Sequence, residues 1–202
     1  MRSVPRRDIF PSRRDALPQT RFHAMLTGMN DATRPEIDPK LFRRAMSRFP
    51  SGVAVITAEH AGEVRGMTAN AFMSGSLDPP LCVVSIAKRA HMHEVMRTAS
   101  HFGVNILAEN QLEISEHFAG KPNMGLAVEF ERFGPAPLLA NACARIVAET
   151  VARHDCGDHT IFIGHILRLD ADDRPPLLYH TGRYRSLGAV RLDHAVGTPE
   201  FW

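Results

Sequence analysis

The sequence is poor in cysteine and has no long apolar run. Its three cysteines in 202 residues stand at positions 82, 143 and 156, which is too scattered for a disulfide framework or a CxxC metal motif. No apolar segment approaches the roughly 20 residues that cross a bilayer, and the first residues lack the apolar core of a secretory signal. We therefore expect a soluble protein of the reducing cytoplasm that does not contact a membrane.

Lysine is also scarce, and the basic residues are not placed for binding nucleic acid. Only three of the 24 basic residues are lysines. Residues 1–24 hold six arginines and two aspartates, whereas the whole chain has a net charge of +2, so the remaining chain is slightly acidic. A nucleic-acid-binding domain needs a basic face with interleaved aromatic residues. The sequence predicts no nucleic-acid partner.

Several nucleotide and hydrolase motifs are missing. There is no GxGxxG and no GxxxxGK[ST], so any dinucleotide would be bound without a Rossmann domain or a P-loop. The GxSxG elbow of serine hydrolases and the HExxH pair of zinc proteases are absent as well. These absences disfavour a hydrolase.

Short apolar runs bounded by glycine and proline predict a mainly β domain. With 44% hydrophobic residues, the chain can bury one core. The predicted strands cover residues 52–58, 64–71, 81–87, 101–108, 144–154, 160–169 and 177–180. The first three should pair antiparallel, and a tight turn at residues 156–159 should join the two long strands as a hairpin. Seven short strands with few helices favour a closed antiparallel barrel.

Three short helices accompany these strands, over residues 39–49, 91–99 and 111–118. The first should begin at Asp38, a good N-cap, with Pro39 at the first helical position. Its apolar residues recur at helical spacing and are predicted to pack into the core. They are Leu41, Phe42, Ala45, Met46 and Phe49. The predicted organisation is a disordered extension over residues 1–35, one domain over residues 36–190 and a tail over residues 191–202.

The most informative segment covers residues 66–88, GMTANAFMSGSLDPPLCVVSIAK. It places a small polar corner between two apolar strands. Thr68 and Asn70 alternate with small or apolar residues, so both side chains should lie on one face of a strand. Such a face suits a ligand with polar edges. The two residues could equally be strand-end polar groups that neighbouring backbone satisfies.

A cluster of possible metal ligands occupies the predicted hairpin turn. It comprises His154, Cys156, Asp158 and His159, with His180 as a remote further ligand. In a strand, residues 154, 156 and 158 share a face, but His159 points away unless the turn redirects it. A tight turn with a cofactor-facing histidine is the simpler interpretation, and the sequence predicts no metal site.

Four groups of motifs, taken in this order, resemble the flavin reductase-like family, whose members have an FMN-binding split barrel. They are GMTANAF with SLDPPL, then FGVNIL, then GDHTIFIGHI, then PLLYHTGRYRSL, and the similarity spans about residues 38–187. The resemblance implies a homodimeric, antiparallel split β-barrel with a few short flanking helices. It also implies an NAD(P)H:flavin oxidoreductase that takes hydride from NADH or NADPH, reduces FMN or FAD, and supplies reduced flavin to a partner monooxygenase.

The resemblance also implies roles for individual residues. Ring and ribityl contacts fall on Met67, Thr68, Ala69 and Asn70, with Phe102 and Asn105 near the isoalloxazine. The phosphate end falls on Ser85, Ile86, Ala87 and Lys88. The nicotinamide side falls on Gly157, Asp158 and His159, with Arg183 and Tyr184 closing over it. His159 is the catalytic candidate, through contact with the nicotinamide dinucleotide rather than through proton chemistry. At Ala71 and Ala90 many relatives have Ser or Thr instead.

Physical chemistry agrees with this assignment and leaves alternatives open. Hydride transfer between nicotinamide and flavin needs two stacked rings and a polarised environment, with no protein nucleophile. The same motifs would serve a flavoprotein that reduces another acceptor, such as a corrinoid or a ferric complex. A non-catalytic flavin-binding protein and a ligand-free structural barrel remain further alternatives. Asn105 could instead hold buried water, and Tyr184 could merely close the end of the barrel.

Overall fold

The computed structural model describes residues 36–188. The predicted extension over residues 1–35 and the tail over residues 191–202 lie outside the described residues. By its contacts the chain divides into two compact units, Met1–Phe42 and Arg43–Trp202. The first is described from residue 36 onward, and the second contains every described strand.

The described residues form three short α-helices, one turn of 3-10 helix and twelve β-strands. The helices are α1 (Pro39–Met46), α2 (His91–Thr98) and α3 (Leu112–Phe118), and the 3-10 turn is Glu109–Gln111. The strands are β1 (Ser51–Gly52), β2 (Ala54–His60), β3 (Glu63–Ala69), β4 (Phe72–Ser76), β5 (Leu81–Ala87), β6 (His101–Ile106), β7 (Phe130–Arg132), β8 (Pro137–Leu139), β9 (Ala144–Cys156), β10 (His159–Ala171), β11 (Leu178–His180) and β12 (Arg183–Arg185). No helix within residues 36–188 is long and apolar enough to cross a membrane.

Seven strands form the main sheet, in the order β3-β2-β6-β9-β10-β5-β4. Every pair in this sheet is antiparallel. A three-stranded sheet (β1-β11-β12) and a two-stranded sheet (β7-β8) complete the described strands. The fold is therefore mainly β and antiparallel with a few short helices, as the sequence predicts.

One apolar cluster packs against the inner face of the main sheet. Its largest fully buried members are Ile56, Ile86, Met96, Phe102 and Phe162. Burial of each such side chain stabilises the fold by about 1.5–3 kcal/mol. Met67 of β3 and Phe72 of β4 pack against the same cluster, although β3 and β4 lie at opposite ends of the strand order.

Phe102 fits into this cluster because residue 164 is glycine. A Cβ atom added at Gly164 would lie 2.5 Å from the Phe102 ring and 2.8 Å from Ala148. The pairing of β10 with β9 shifts register between Ile163 and Gly164, which marks a bulge or irregularity of the kind that bends a strand. The long hairpin therefore bends where the phenyl ring fills the core.

The strand predictions are largely confirmed, with one pairing error. The strand over residues 81–87 and the hairpin turn near residue 157 lie where the sequence predicts them. The predicted strand over residues 64–71 instead ends at Ala69, and a separate strand, β4, follows it. β5 pairs with β4 and β10 rather than with β3, because the chain turns at Asn70 and Ala71 before it reaches β5.

The first helix begins as predicted but does not pack into the core. The Asp38 carboxylate accepts a hydrogen bond from the backbone N–H of Lys40 at 2.9 Å, as an N-cap should. No residue of α1 is buried, and Met46 and Phe49 are 58% and 82% exposed. The prediction that the apolar residues of this helix pack into the core is therefore wrong for the single chain. Helical periodicity identifies an apolar face but not what covers it.

Candidate functional site

An open cleft of about 510 Å³ lies beside the corner between β3 and β4. The cleft is lined by residues 49–54 and 69–72, together with Met46 and Ile106. Of the predicted ring contacts, Ala69 and Asn70 line this cleft. Its walls are mostly small or apolar residues, so the cleft suits a flat apolar ligand that carries a few polar atoms.

Three features of the cleft fit such a ligand. Asn70 is exposed, and its side chain has no hydrogen bond to another residue of the range 36–188. The buried hydroxyl of Ser51 also has no hydrogen-bond partner among residues 36–188. A Cβ atom added at Gly52 would meet no atom within 4 Å. Sequence reasoning does not single out Ser51 or Gly52, because a short Ser-Gly step after a proline is an ordinary turn signal.

Met67 and Thr68 support the cleft from behind. Met67 packs against the main apolar cluster. The hydroxyl of Thr68 donates a hydrogen bond of 2.7 Å to the carbonyl oxygen of Ser115 in α3. The one hydrogen-bond donor of Thr68 is therefore used within the protein. Asn70, which follows the end of β3, has an amide group without a hydrogen bond to the described part of the chain.

Phe102 and Asn105 do not reach the cleft, which corrects the sequence prediction. Both are fully buried, and they lie on opposite faces of β6 because they are three positions apart on the strand. The amide nitrogen of Asn105 donates to the carbonyl oxygen of Val55 at 2.8 Å and to the hydroxyl of Thr57 at 3.2 Å. Its oxygen accepts from the N–H of Leu139 at 2.7 Å. Both N–H donors of the amide and one lone pair of its oxygen are thus engaged by the protein. Because both residues are also fully buried, they leave the set of candidate contacts.

The predicted phosphate end lies along β5, next to the cleft. The backbone N–H of Ser85 donates to the carbonyl oxygen of Ala71 at 3.0 Å, which joins β5 to the corner. The side chain of Ile86 points into the core and is 1% exposed, so Ile86 can offer a ligand only its backbone. Lys88 follows three residues after Ser85, which is roughly 10 Å along a strand.

The turn between β9 and β10 lies beside Lys88. The backbone N–H of Lys88 donates to the carbonyl oxygen of Asp158 at 2.9 Å, and His159 pairs with Ala87. Gly157 has a φ of +60°, a conformation that glycine adopts without strain. The structure therefore brings together the predicted phosphate and nicotinamide residues at one end of β5.

The Asp158 carboxylate holds the ring of His159. Its Oδ1 lies 2.7 Å from Nδ1 of the ring, and this hydrogen bond is the main cause that lowers the pKa of Asp158 below its ordinary value. Both side chains are accessible to a ligand. Within residues 36–188 no group of three or more His, Cys, Asp or Glu side chains is arranged to hold a metal ion.

The last motif lies away from the hairpin turn. β12, which carries Arg183 and Tyr184, pairs with β11, and β11 pairs with β1 at the cleft. Arg183 is exposed. The hydroxyl of Tyr184 lies 2.9 Å from the hydroxyl of Ser115, and its ring packs edge-on against Tyr179 with centroids 5.5 Å apart. Tyr184 thus contacts both Ser115 and Tyr179, and its predicted ligand role stays a prediction.

Ser115 is a supporting residue that sequence reasoning misses. It is fully buried, and it binds Thr68 through its carbonyl oxygen and Tyr184 through its hydroxyl. It therefore connects two motifs that lie more than 100 residues apart in the sequence. A single serine in an amphipathic helix carries no signal that would reveal this position.

Comparison with known proteins agrees with this geometry. The family model for the flavin reductase like domain matches residues 46–188. An NADH-dependent flavin reductase of a Rhodococcus species is 42% identical over 166 residues, which are 81% of this chain and 94% of that protein. The reductase component of 4-hydroxyphenylacetate 3-monooxygenase from Thermus thermophilus is 40% identical over 147 residues, covering 72% of this chain and 95% of that protein.

A solved structure gives the same result. The flavin reductase PheA2 in its native state superposes with a TM-score of 0.73 and 43% identity, over 75% of this chain and 99% of that chain. The region that the family model matches, residues 46–188, contains the cleft, β5 and the hairpin turn. This chain therefore belongs to the family of flavin reductase like domains.

Proposed function

We propose that this protein is an NAD(P)H:flavin oxidoreductase that supplies reduced flavin to a separate monooxygenase. The family match over residues 46–188 carries this proposal, because it includes both the cleft and the hairpin turn. The relative from Thermus thermophilus is itself the reductase component of a monooxygenase. Flavin, when bound, supplies the ring that accepts hydride from the nicotinamide.

The residues of the cleft fit FMN or the FMN half of FAD. The ring would lie in the cleft, where the Asn70 amide and the unpartnered Ser51 hydroxyl offer hydrogen bonds to its polar edge. The ammonium of Lys88 at the end of β5 would hold the phosphate. The separation of roughly 10 Å between Ser85 and Lys88 suits the ribityl chain.

The hairpin turn would hold the nicotinamide dinucleotide. Asp158 fixes the ring of His159 on the exposed side of β10, so the imidazole offers a rigid surface for stacking and hydrogen bonding. Because hydride passes directly between two rings, these residues would act by orienting the donor. Arg183 is exposed and carries a charge suited to phosphate groups of the dinucleotide.

We further propose that the main sheet curls into a split barrel and that two copies associate. Residues of β3 and β4, at the two ends of the strand order, share one apolar cluster, which supports curling. Met46 and Phe49 at the cleft, with Met73 and Leu77 beyond it, are large apolar residues exposed in the single chain. A second copy would cover such residues. Sedimentation should give a dimer, and a monomer at micromolar concentration would contradict association.

We place the enzyme in the cytoplasm. The cytoplasm holds both nicotinamide nucleotides and reduced thiols, and the free thiol of Cys156 is exposed, which suits a reducing compartment. A fluorescent fusion found in an oxidising compartment would contradict this placement.

One kinetic experiment tests the proposed activity. The purified protein should oxidise NADH when FMN is added, and anaerobic NADH should bleach the blue absorbance of flavin. Gly52→Trp should block the cleft and abolish the activity, because an added side chain meets open space there and not a neighbour. The unfolding midpoint of this variant should stay at the wild-type value. NADH oxidation by the wild-type protein no faster than by free flavin would overturn the proposal.

A further inference from the structure

A second cavity, of about 310 Å³, lies between α2 and the hairpin of β9 and β10. It is lined by Lys88, His93, Arg97, Asp155 and Thr160. Of these, only Lys88 belongs to the phosphate end that the sequence predicts. Lys88 lines this cavity, so the other lining residues can affect the position of its ammonium group.

A chain of polar contacts runs along the cavity and ends at Lys88. Nε2 of His93 lies 2.9 Å from the hydroxyl oxygen of Thr160. The Thr160 hydroxyl donates to Oδ1 of Asp155 at 3.3 Å, and the same oxygen lies 3.5 Å from Nζ of Lys88. His93 and Thr160 are 6% and 5% exposed, so the start of the chain is fixed in the interior.

The donor and acceptor roles in this series of contacts follow from the Thr160 hydroxyl at its centre. The one proton of the Thr160 hydroxyl is donated to Asp155, so Thr160 must accept from Nε2–H of His93. The other ring nitrogen of His93 has no hydrogen-bond partner among the described residues, and its nearest carboxylate oxygen, on Glu94, is 3.6 Å away. The single hydrogen bond of His93 is therefore the one that orients Thr160.

This series of polar contacts leaves part of the Lys88 ammonium group available to a ligand. An ammonium group has three N–H donors, and Oδ1 of Asp155 lies 3.5 Å from Nζ, an ion-pair distance. The side chain of Lys88 is 41% exposed, and its backbone N–H is already held by the carbonyl oxygen of Asp158. The ammonium is thus restrained on one side and open on the other.

We propose that His93 is a positioning residue, which acts through Thr160 and Asp155 to hold the ammonium of Lys88 where the flavin phosphate binds. This inference rests on the proposed function and deepens it, since it identifies what orients the phosphate-binding cation. The buried His93 fixes the hydroxyl of Thr160, and that hydroxyl in turn orients the exposed carboxylate of Asp155 beside Lys88.

Comparison of FMN with riboflavin tests this role, because riboflavin lacks the phosphate. The measured quantity is the KM for riboflavin divided by the KM for FMN, with NADH saturating. Lys88→Met should lower this ratio about fivefold, the size expected for a partly exposed ion pair. His93→Leu and Thr160→Val should lower it about two- to threefold, a part of the same effect. His93→Gln, which can place an N–H near the position of Nε2, should restore it. His91→Leu, an exposed histidine of the same helix, is the matched control and should leave it unchanged.

The outcomes separate this inference from the proposed function. Equal rises in both KM values for His93→Leu would show a merely structural role and overturn the inference. An unchanged ratio in His93→Leu, with a lowered ratio in Lys88→Met, would overturn it too. If His93→Leu and Thr160→Val fail to fold, Asp155→Asn serves as a third variant, because the Asp155 side chain is 80% exposed. It removes the ion pair with Lys88 and should lower the ratio in the same way. Wild-type protein that does not oxidise NADH with either flavin would instead refute the proposed function.

Discussion

Asn70 and Asn105 are the same residue type in neighbouring parts of the fold, and the structure uses them in opposite ways. Asn105 is fully buried on β6, and its amide group makes three hydrogen bonds to protein groups. Asn70 stands at the open corner after β3 and lines the cleft. The first amide holds strands together, whereas the second remains free for a ligand.

The difference between the two regions lies in what faces each amide. β8 covers the outer side of β6, so the backbone N–H of Leu139 comes within 2.7 Å of Asn105. No strand covers the corner at Asn70 within the described part of the second unit, and the opposite wall across the cleft is the short β1. An asparagine in a strand is therefore a ligand contact only where the backbone around it leaves the amide unsatisfied.

The largest expected effect is a loss of protein stability when the buried Asn105 is replaced. Asn105→Ala should lower the free energy of unfolding by about 3 kcal/mol, because it leaves the Val55 carbonyl and the Leu139 N–H buried without their partners. Urea unfolding measures this loss. Asn110→Ala, at an exposed position outside both cavities, is the control and should change stability by less than about 0.5 kcal/mol. A variant as stable as the wild type would mean that Asn105 does not hold the interior together.

A pair of glycine substitutions sharpens the comparison. Gly103→Ala on β6 should cost about 2 kcal/mol, because the new Cβ would lie 2.4 Å from the Thr57 hydroxyl and 2.7 Å from the Pro137 carbonyl oxygen. Gly52→Ala at the cleft meets no atom within 4 Å and should leave stability near the wild-type value. Thermal unfolding of both variants checks the contrast, and similar melting temperatures would contradict it.

A smaller effect is expected at the open corner, and it should appear in binding alone. Asn70→Ala should weaken FMN binding about fivefold, the value of one hydrogen bond of about 1 kcal/mol. Its unfolding midpoint should not move, since no protein group depends on the Asn70 side chain. Fluorescence titration of flavin and urea unfolding measure the two quantities. An unchanged dissociation constant would remove Asn70 from the site.

The smallest effect is expected at the exposed pair on the hairpin turn. The pKa of Asp158 is lowered by its hydrogen bond to His159, so the stabilisation is present above the ordinary aspartate pKa and is lost as pH falls through the lowered value. The pair is solvent-exposed, so Asp158→Asn should barely change the acid unfolding profile. Its KM for NADH should rise about twofold because His159 is less well oriented. A large shift of the acid unfolding midpoint in Asp158→Asn would contradict the expected small contribution of this pair to stability.

Local sequence patterns predict strands and turns well here. β5 matches its predicted bounds, and the turn at Gly157 lies where the sequence places it. These elements are set by nearby residues, through alternation, β-branched side chains and a glycine at positive φ. The family resemblance is confirmed over most of the chain.

Contacts between distant segments could not be predicted in the same way. The strand that satisfies Asn105 is Pro137–Leu139, a short run with no strand signal in the sequence. The exposed apolar face of α1 is a further case, because the spacing of apolar residues does not identify the surface that covers them. Alternation along a strand does bear on one of these contacts: Phe102 and Asn105 are three positions apart on β6, so they cannot both face one ring.

The alternation along β5 has a practical consequence for redesign. Its even-numbered residues, Cys82, Val84 and Ile86, are buried in the hydrophobic cluster, while Val83, Ser85 and Ala87 are only partly buried. The even-numbered side chains therefore contribute most to stability, whereas we propose that the odd-numbered positions face the ligand. A mutant library confined to the odd-numbered sites could explore new flavin analogues while the even-numbered scaffold stays untouched.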